Sequence, residues 1–300
     1  MNLDKFSKVL KQARLDAEMT QKQLAEGICT QAQISKLETG DEFPSSITLH
    51  LISKKLGLDA EYFFHQIESD RVDYIDDVKE FARIYRRDKN YLELNRLMKS
   101  ELKTPLAKQN QEFLQFILWH LGISEFYLNK DKNIALKFLM DALKMKSIVS
   151  NRVRELEILN SIAIVLYESD NYQFSLKVFD LALEKLHGFP VNKDYTIELR
   201  LLYGASKTAL KIGKLSYALS YSQQGVKVCN RNETLYLLGE LYYQMARSLK
   251  HMNHLKAEEF FSKSISTFLL EEKYDYAEIV EKAYMEYRSE LNKEKGGLII

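Results

Sequence analysis

Apolar positions recur at helical spacing along the whole chain. Between residues 3 and 18, Leu3, Phe6, Val9, Leu10 and Ala13 fall on one face. Thr20 with Gln23 three residues on is a capping box that starts a second helix, with Leu24, Ala25 and Ile28 inward. Thr30 with Gln33 repeats the start signal, Ile34 and Leu37 supply the apolar face, and Gly40 is the stop. Pro44 and Ser45 break the chain and open a helix whose inward positions are expected to be Ile47, Leu51, Ile52 and Leu56, ended by Gly57. A fifth helix is expected over Asp59–Gln66, packed by Tyr62, Phe63 and Phe64. The pattern therefore predicts a five-helix domain over residues 1–66. The acidic, polar run IESDRVDYIDD at 67–77 reads as a linker or the start of a connecting helix, and as the domain boundary.

The remaining two-thirds, 78–295, repeats itself. A small or apolar residue followed by a bulky residue and a helix-face residue at fixed offsets recurs in five places. The clearest copy is Ser175, Phe179, Ala182 and Leu183, and the same phase returns at Ala135, Ala218 and Ala257, with a weaker copy at Leu94. The anchors 94, 135, 175, 218 and 257 are spaced 41, 40, 43 and 39 residues apart. Further helices are expected ahead of the last four anchors, at 107–128, 150–168, 194–212 and 233–251, and a closing helix at 274–292 before an apolar tail, Gly296–Ile300. Each unit is a helix pair that buries its apolar face only by stacking on its neighbours. The reading is an all-α chain: a five-helix N-terminal domain followed by an α-solenoid of tetratricopeptide-like helix pairs. Trp119 and Ala163 fall at that repeat's Trp and small positions. The period exceeds the usual ~34 residues, which leaves a HEAT-like array open.

Composition narrows the chemistry. Three prolines and eleven glycines among 300 residues suit a helical chain. The net charge of +1 gives no global basic field, and residues 1–66 hold eight Lys/Arg against nine Asp/Glu, so nucleic-acid affinity has to come from local placement and from two copies acting together. Two cysteines, Cys29 and Cys229, fit a reducing compartment without a disulfide framework. No apolar run approaches a membrane span and no signal-peptide pattern opens the chain, so a cytoplasmic protein without a membrane partner is expected. None of the six histidines forms HExxH or another metal-ligand spacing, and there is no Gly-rich phosphate loop. An enzyme is the weakest class; no cofactor, metal site or catalytic residue is expected.

The segment Thr20–Gly40 carries the sharpest functional signal. Its second helix begins with polar side chains, Gln31, Gln33, Ser35 and Lys36, pointing outward. A Gln amide bonds an adenine edge bidentately, and Lys or Ser reaches guanine or phosphate. The TQxxLA and ISxLExG runs, with the Arg14 helix before them and the Pro44-to-Gly57 helix after, resemble the lambda-repressor-like helix-turn-helix family over residues 3–66. The resemblance implies base-reading roles for Thr30, Gln31, Gln33 and Lys36. It also implies a phosphate contact for Gln21, and a bracing ion pair for Arg14 and Glu38.

In a stacked array the first helix of each pair lines the concave side. Fifteen residues before each anchor lie His120, Asn160, Tyr203 and Tyr242; eleven before lie Ser124, Ile164, Lys207 and Ala246; eighteen before lie Ile117, Glu157, Arg200 and Gly239; eight before lie Tyr127, Tyr167, Leu210 and Leu249. Amides, hydroxyls and aromatics of that kind suit an extended peptide, and suit ordinary contacts between helices as well. The whole layout, with TQKQLAEGIC near the start, RRDKNY at 86–91 and LGELYYQMARSL at 238–249, resembles the peptide-pheromone regulators of Gram-positive bacteria, the Rgg/PlcR/PrgX group.

That resemblance implies a homodimeric transcription factor on double-stranded DNA with an inverted repeat, gated by a short signalling peptide in the concave groove. It assigns peptide contacts to Asn160, to Arg87 and Lys89 as holders of a carboxylate, and to Glu240 and Tyr243. Where relatives have a second groove Asn, this chain has Gly204 beside Tyr203. Two alternatives stay open: a repressor whose repeats bind a protein partner, and an interaction protein that does not bind DNA.

Overall fold

The computed structural model describes residues 3–145, 152–188 and 195–296; the expected apolar tail beyond Gly296 lies outside them. All regular structure among these residues is helical. The chain divides into two compact units, Met1–Arg87 and Asp88–Ile300.

The first unit comprises α1 (Leu3–Asp16), α2 (Gln21–Ala25), α3 (Gln31–Thr39), α4 (Ser46–Lys55) and α5 (Ala60–Arg87). The cap signals act as their chemistry predicts. The Thr20 hydroxyl accepts from the Gln23 backbone N–H while the Gln23 side chain takes the Thr20 N–H, so two orphan donors are satisfied at once. Thr30 accepts from the Gln33 N–H in the same way, without a return bond from the Gln33 side chain. Gly40 closes α3 with φ at 81°, a left-handed cap that a side chain would strain. Phe6, Leu10, Leu24, Ile34, Leu37, Ile52 and Phe63 make the core of this unit.

One expected face is wrong. On α4 the buried residues are Leu49, Ile52 and Ser53, while Ile47 is 72% exposed and Leu51 is also exposed. Apolar residues at 47, 49, 51, 52 and 56 permit two helical phases, and the one that packs Leu49 beside Ile52 on the core prevails. Phe64 is likewise exposed, while Phe63 fills the interior. The fifth helix runs to Arg87, so residues 67–77 form a continuous part of α5.

The second unit is built from α6 (Tyr91–Glu101), the short α7 (Pro105–Gln109), and the pairs α8/α9 (Gln111–Asn129, Lys132–Lys144), α10/α11 (Arg152–Glu168, Tyr172–His187), α12/α13 (Tyr195–Lys211, Leu215–Arg231) and α14/α15 (Leu238–His251, Ala257–Leu270), closed by α16 (Tyr274–Gly296). The small anchors Ala135, Ser175, Ala218 and Ala257 have no exposed surface. They let paired helices approach closely. Serines then tie several pairs by the same bond to a facing carbonyl: Ser175 Oγ to Ala163 O, Ser206 Oγ to Ala218 O, and Ser264 Oγ to Gly239 O, each 2.8 Å. Buried hydroxyls need such partners, and these bonds add direction to the apolar packing. Within this unit α10, α12 and α14, the first helices of successive pairs, touch one another in turn. They therefore form one continuous inner row, the geometry that gives a solenoid its binding face.

Candidate functional site

In the first unit, α3 presents Gln31, Gln33 and Lys36 exposed and Ser35 half-buried, with Thr30 exposed at its cap. Behind them stands a buried electrostatic frame. Arg14 Nε and Nη2 donate to the two oxygens of Glu38 at 2.6 and 2.9 Å, and Nη1 donates to the Met19 carbonyl at 2.7 Å. Their side chains are only 9% and 3% exposed. Burial by itself would raise the Glu38 carboxyl; the bonds from Arg14 and Gln21, with the Arg14 charge, outweigh it and hold the group below the ordinary range.

Gln21 sits in this frame. Its amide nitrogen donates to Glu38 at 2.9 Å, and its amide oxygen accepts from Gln31 Nε2 at 3.2 Å. A relay thus runs from the buried pair through Gln21 to the first side chain of the recognition helix. The sequence signal for that relay was the same Gln21, read there as a phosphate contact. Lys36 is engaged with Glu42 at 2.9 Å, both side chains being exposed. Gln33 is left facing solvent.

In the second unit, α10 and α12 enclose a cavity of about 290 Å³. Asn160, Ile164, Tyr167 and Glu168 come from α10, Arg200, Tyr203, Gly204, Lys207 and Thr208 from α12, and Phe179 and Leu237 complete it. Asn160 is only 7% exposed, and its amide has no hydrogen-bond partner among the described residues. An amide so buried ordinarily has its donor and acceptor satisfied. Here they are presented to the cavity.

Gly204 makes the opposite wall possible. A Cβ there would lie 2.3 Å from Phe179 Cζ, so the ring packs directly on the α12 backbone. The Tyr203 phenol is pushed up to about 12, by burial first and then by the Glu240 charge and Tyr167, so at neutral pH its hydroxyl is a donor.

The other predicted contacts fall elsewhere. His120 is fully buried, with Nδ1 2.9 Å from the Phe116 carbonyl and its ring against Phe116 and Trp119. Nearly every side chain in the middle of α8 is buried, so His120 belongs to the interior and does not line the cavity. Tyr242 turns toward Phe260 on α15, with ring centroids 6.0 Å apart, and Tyr243 packs on Phe261. Glu240 lies 3.4 Å from Lys273, which also reaches Glu271 at 3.0 Å. Arg87 is the last residue of α5, and Lys89 follows in the next turn with φ at 56°; both are exposed. No group of three metal-ligating side chains occurs among the described residues, and no helix among them is long and apolar enough to cross a membrane.

A five-helix unit with a capped helix-turn-helix, followed by stacked helix pairs with an inner-row cavity, defines a class of two-part helical proteins. Comparison with known families agrees in both parts. The helix-turn-helix family model matches residues 10–63, and the model of the RNPP family C-terminal domain matches residues 80–288, more than half of the chain. The chain belongs to the RNPP family.

Similar solved structures include Bacillus thuringiensis PlcR in complex with the peptide PapR7 and DNA, at 24% identity and a TM-score of 0.69, covering 92% of this chain and 99% of that one. ComR from S. thermophilus in complex with DNA and its signalling peptide ComS matches at 16% identity and a TM-score of 0.56, covering 94% and 99%. The SHP pheromone receptor Rgg2 of Streptococcus dysgalactiae matches at 13% identity and 0.54, again covering 94% and 99%. At these identities the likeness is one of fold. Among curated protein sequences, none matches this chain.

Proposed function

We propose that this protein is a cytoplasmic, homodimeric, sequence-specific DNA-binding transcriptional regulator, gated by a short signalling peptide bound in the cavity between α10 and α12. One observation carries the reading: Asn160, nine-tenths buried and without a hydrogen-bond partner among the described residues, faces an open cavity with Tyr203, Arg200 and Lys207 on the opposite helix. An amide offers one acceptor and two donors, the complement of a peptide group in an extended chain. In the head, Thr30, Gln31, Gln33, Ser35 and Lys36 read DNA, and Gln21 holds Gln31 in register. Two heads of a dimer then meet two half-sites of an inverted repeat, about 34–36 Å per helical turn apart.

Peptide binding shifts the population between repeat-domain states, and the continuous α5 passes that shift to the heads. The shift cannot exceed the peptide's differential affinity for the two states. The family, and the complexes of the similar proteins PlcR and ComR with DNA and a signalling peptide, support this reading.

The test is Asn160→Ala in the full chain. Peptides retained by the wild-type protein from a random heptapeptide pool are titrated by calorimetry against both. The reading predicts at least a tenfold loss of affinity, about 1.4 kcal/mol, with an unchanged melting temperature. Unchanged affinity removes Asn160 from the site.

A further inference from the structure

The charges around the cavity specify the ligand more closely. Its lining includes two cations, Arg200 and Lys207, and one acid, Glu168, leaving one positive charge in excess. Both cations are held loosely. Arg200 Nη2 is 3.6 Å from Glu157, which also lies 3.5 Å from Arg154, and Lys207 Nζ is 3.7 Å from Glu168. These separations exceed the 2.7–2.9 Å of a charge-assisted hydrogen bond. Lys207 instead rests over the Tyr167 ring, 4.2 Å from its centroid, and makes no hydrogen bond among the described residues. Thus the cations are near acids without being bonded to them.

Their spacing is suited to sharing a ligand. Arg200 and Lys207 are seven residues apart on α12, which places them on one face about 10 Å apart along the axis. Between them lies Gly204, against whose backbone the Phe179 ring packs, so that an apolar floor separates the two cations. Both side chains line the same cavity. A guanidinium takes a carboxylate through two parallel bonds, and an ammonium adds a point charge from the other side.

Resting on the peptide reading above, we propose that the cavity is a carboxylate subsite: a carboxylate of the bound peptide lies in the cavity between Arg200 and Lys207, displacing their loose contacts with Glu157 and Glu168. The carboxylate comes from an acidic side chain or from the peptide's C-terminus.

The experiment uses the full-length protein and three random heptapeptide pools. The first contains Asp and Glu and is C-terminally amidated. The second lacks Asp and Glu and has a free C-terminus. The third lacks both kinds of carboxylate. Retained peptides are quantified by mass spectrometry. The proposal expects retention from the first or second pool about tenfold above the third, the scale of one charge-assisted hydrogen bond. Which of the two is retained identifies the source of the carboxylate. In the R200Q/K207Q variant the three pools should come within about twofold. The single variant Glu168→Gln, at an exposed position, should raise retention of the favoured pool without disturbing the fold. Should R200Q/K207Q fail to fold, that rise is the deciding measurement.

Equal retention of the third pool overturns the carboxylate subsite and leaves the peptide reading standing. A preference that survives in folded R200Q/K207Q, or no rise in Glu168→Gln, overturns the assignment to these cations. Retention from no pool overturns both readings.

Discussion

Gly204→Ala isolates the feature that shapes the cavity. The new methyl would lie 2.3 Å from Phe179 Cζ and 2.5 Å from Cε1, where an ordinary contact needs well over 3 Å. The ring must retreat by about 1 Å or more, and the open volume beside it is the cavity. Two terms compete. Replacing glycine by alanine inside a helix gains about 0.8–1 kcal/mol of helix propensity. Overpacking a filled site costs about 1–3 kcal/mol. Net destabilisation of roughly 0–2 kcal/mol follows from these two terms, together with a cavity partly closed by the displaced ring. Thermal unfolding of the full chain measures the first effect, and titration with peptides retained by the wild type measures the second. Affinity should fall by about tenfold or more, a loss of at least ~1.4 kcal/mol. The double change Gly204→Ala with Phe179→Leu removes the clash and should recover both stability and binding. A Gly204→Ala protein that is more stable by the full propensity gain and binds as before would refute the reasoning, because the ring would then not depend on the glycine.

Other expectations follow from the first unit. Arg14→Ala leaves Glu38 buried with only Gln21 as a bonded partner and should destabilise this unit by about 3–5 kcal/mol, whereas replacing both members by apolar residues of similar volume should cost far less; slowed-exchange amides of α3 report it. Because the Glu38 carboxyl is depressed in the fold, its contribution is complete above the ordinary glutamate value near 4.3 and is lost as the pH falls through the lower folded value. Acid titration of the same amides should show that loss in the wild type and not in Glu38→Gln. Replacing Gln31 and Gln33 by Ala should cost about 1–3 kcal/mol of sequence discrimination per lost base contact and leave the weak, salt-sensitive binding in place; survival of full discrimination in a gel-shift competition would move base reading to another surface.

Much of the architecture was legible because it rests on local chemistry. Thr20, Thr30 and Gly40 are signals that act within one helical turn, and each cap forms where it was expected. The forty-residue period was visible because each helix pair needs a small residue at its closest approach. What could not be read depends on which of two locally equal arrangements the core selects. The phase of α4 turned on Leu49 against Ile47 and Leu51, and only packing into the core of the first unit distinguishes them. The extent of α5 was hidden because the polar run at 67–77 is as compatible with a helix as with a linker. In the repeats, counting fifteen residues back from each anchor lands on four positions. The structure places Asn160 and Tyr203 on the cavity, His120 in the interior and Tyr242 against α15. The offset marks a place on a first helix; what covers that place depends on the neighbouring pair. Phe179 escaped the count altogether, because it belongs to a second helix and reaches the cavity only across Gly204.

The central claim is that a ligand in the repeat cavity changes how the heads read DNA. Its most direct test is selection of duplex DNA from a random pool by the full-length protein, with and without the heptapeptides that it retains. An inverted repeat that is enriched only with peptide, or whose half-site spacing changes with it, is the result the account predicts. The same sequence enriched equally in both conditions would contradict it, and would leave a DNA-binding protein whose repeat cavity serves another purpose.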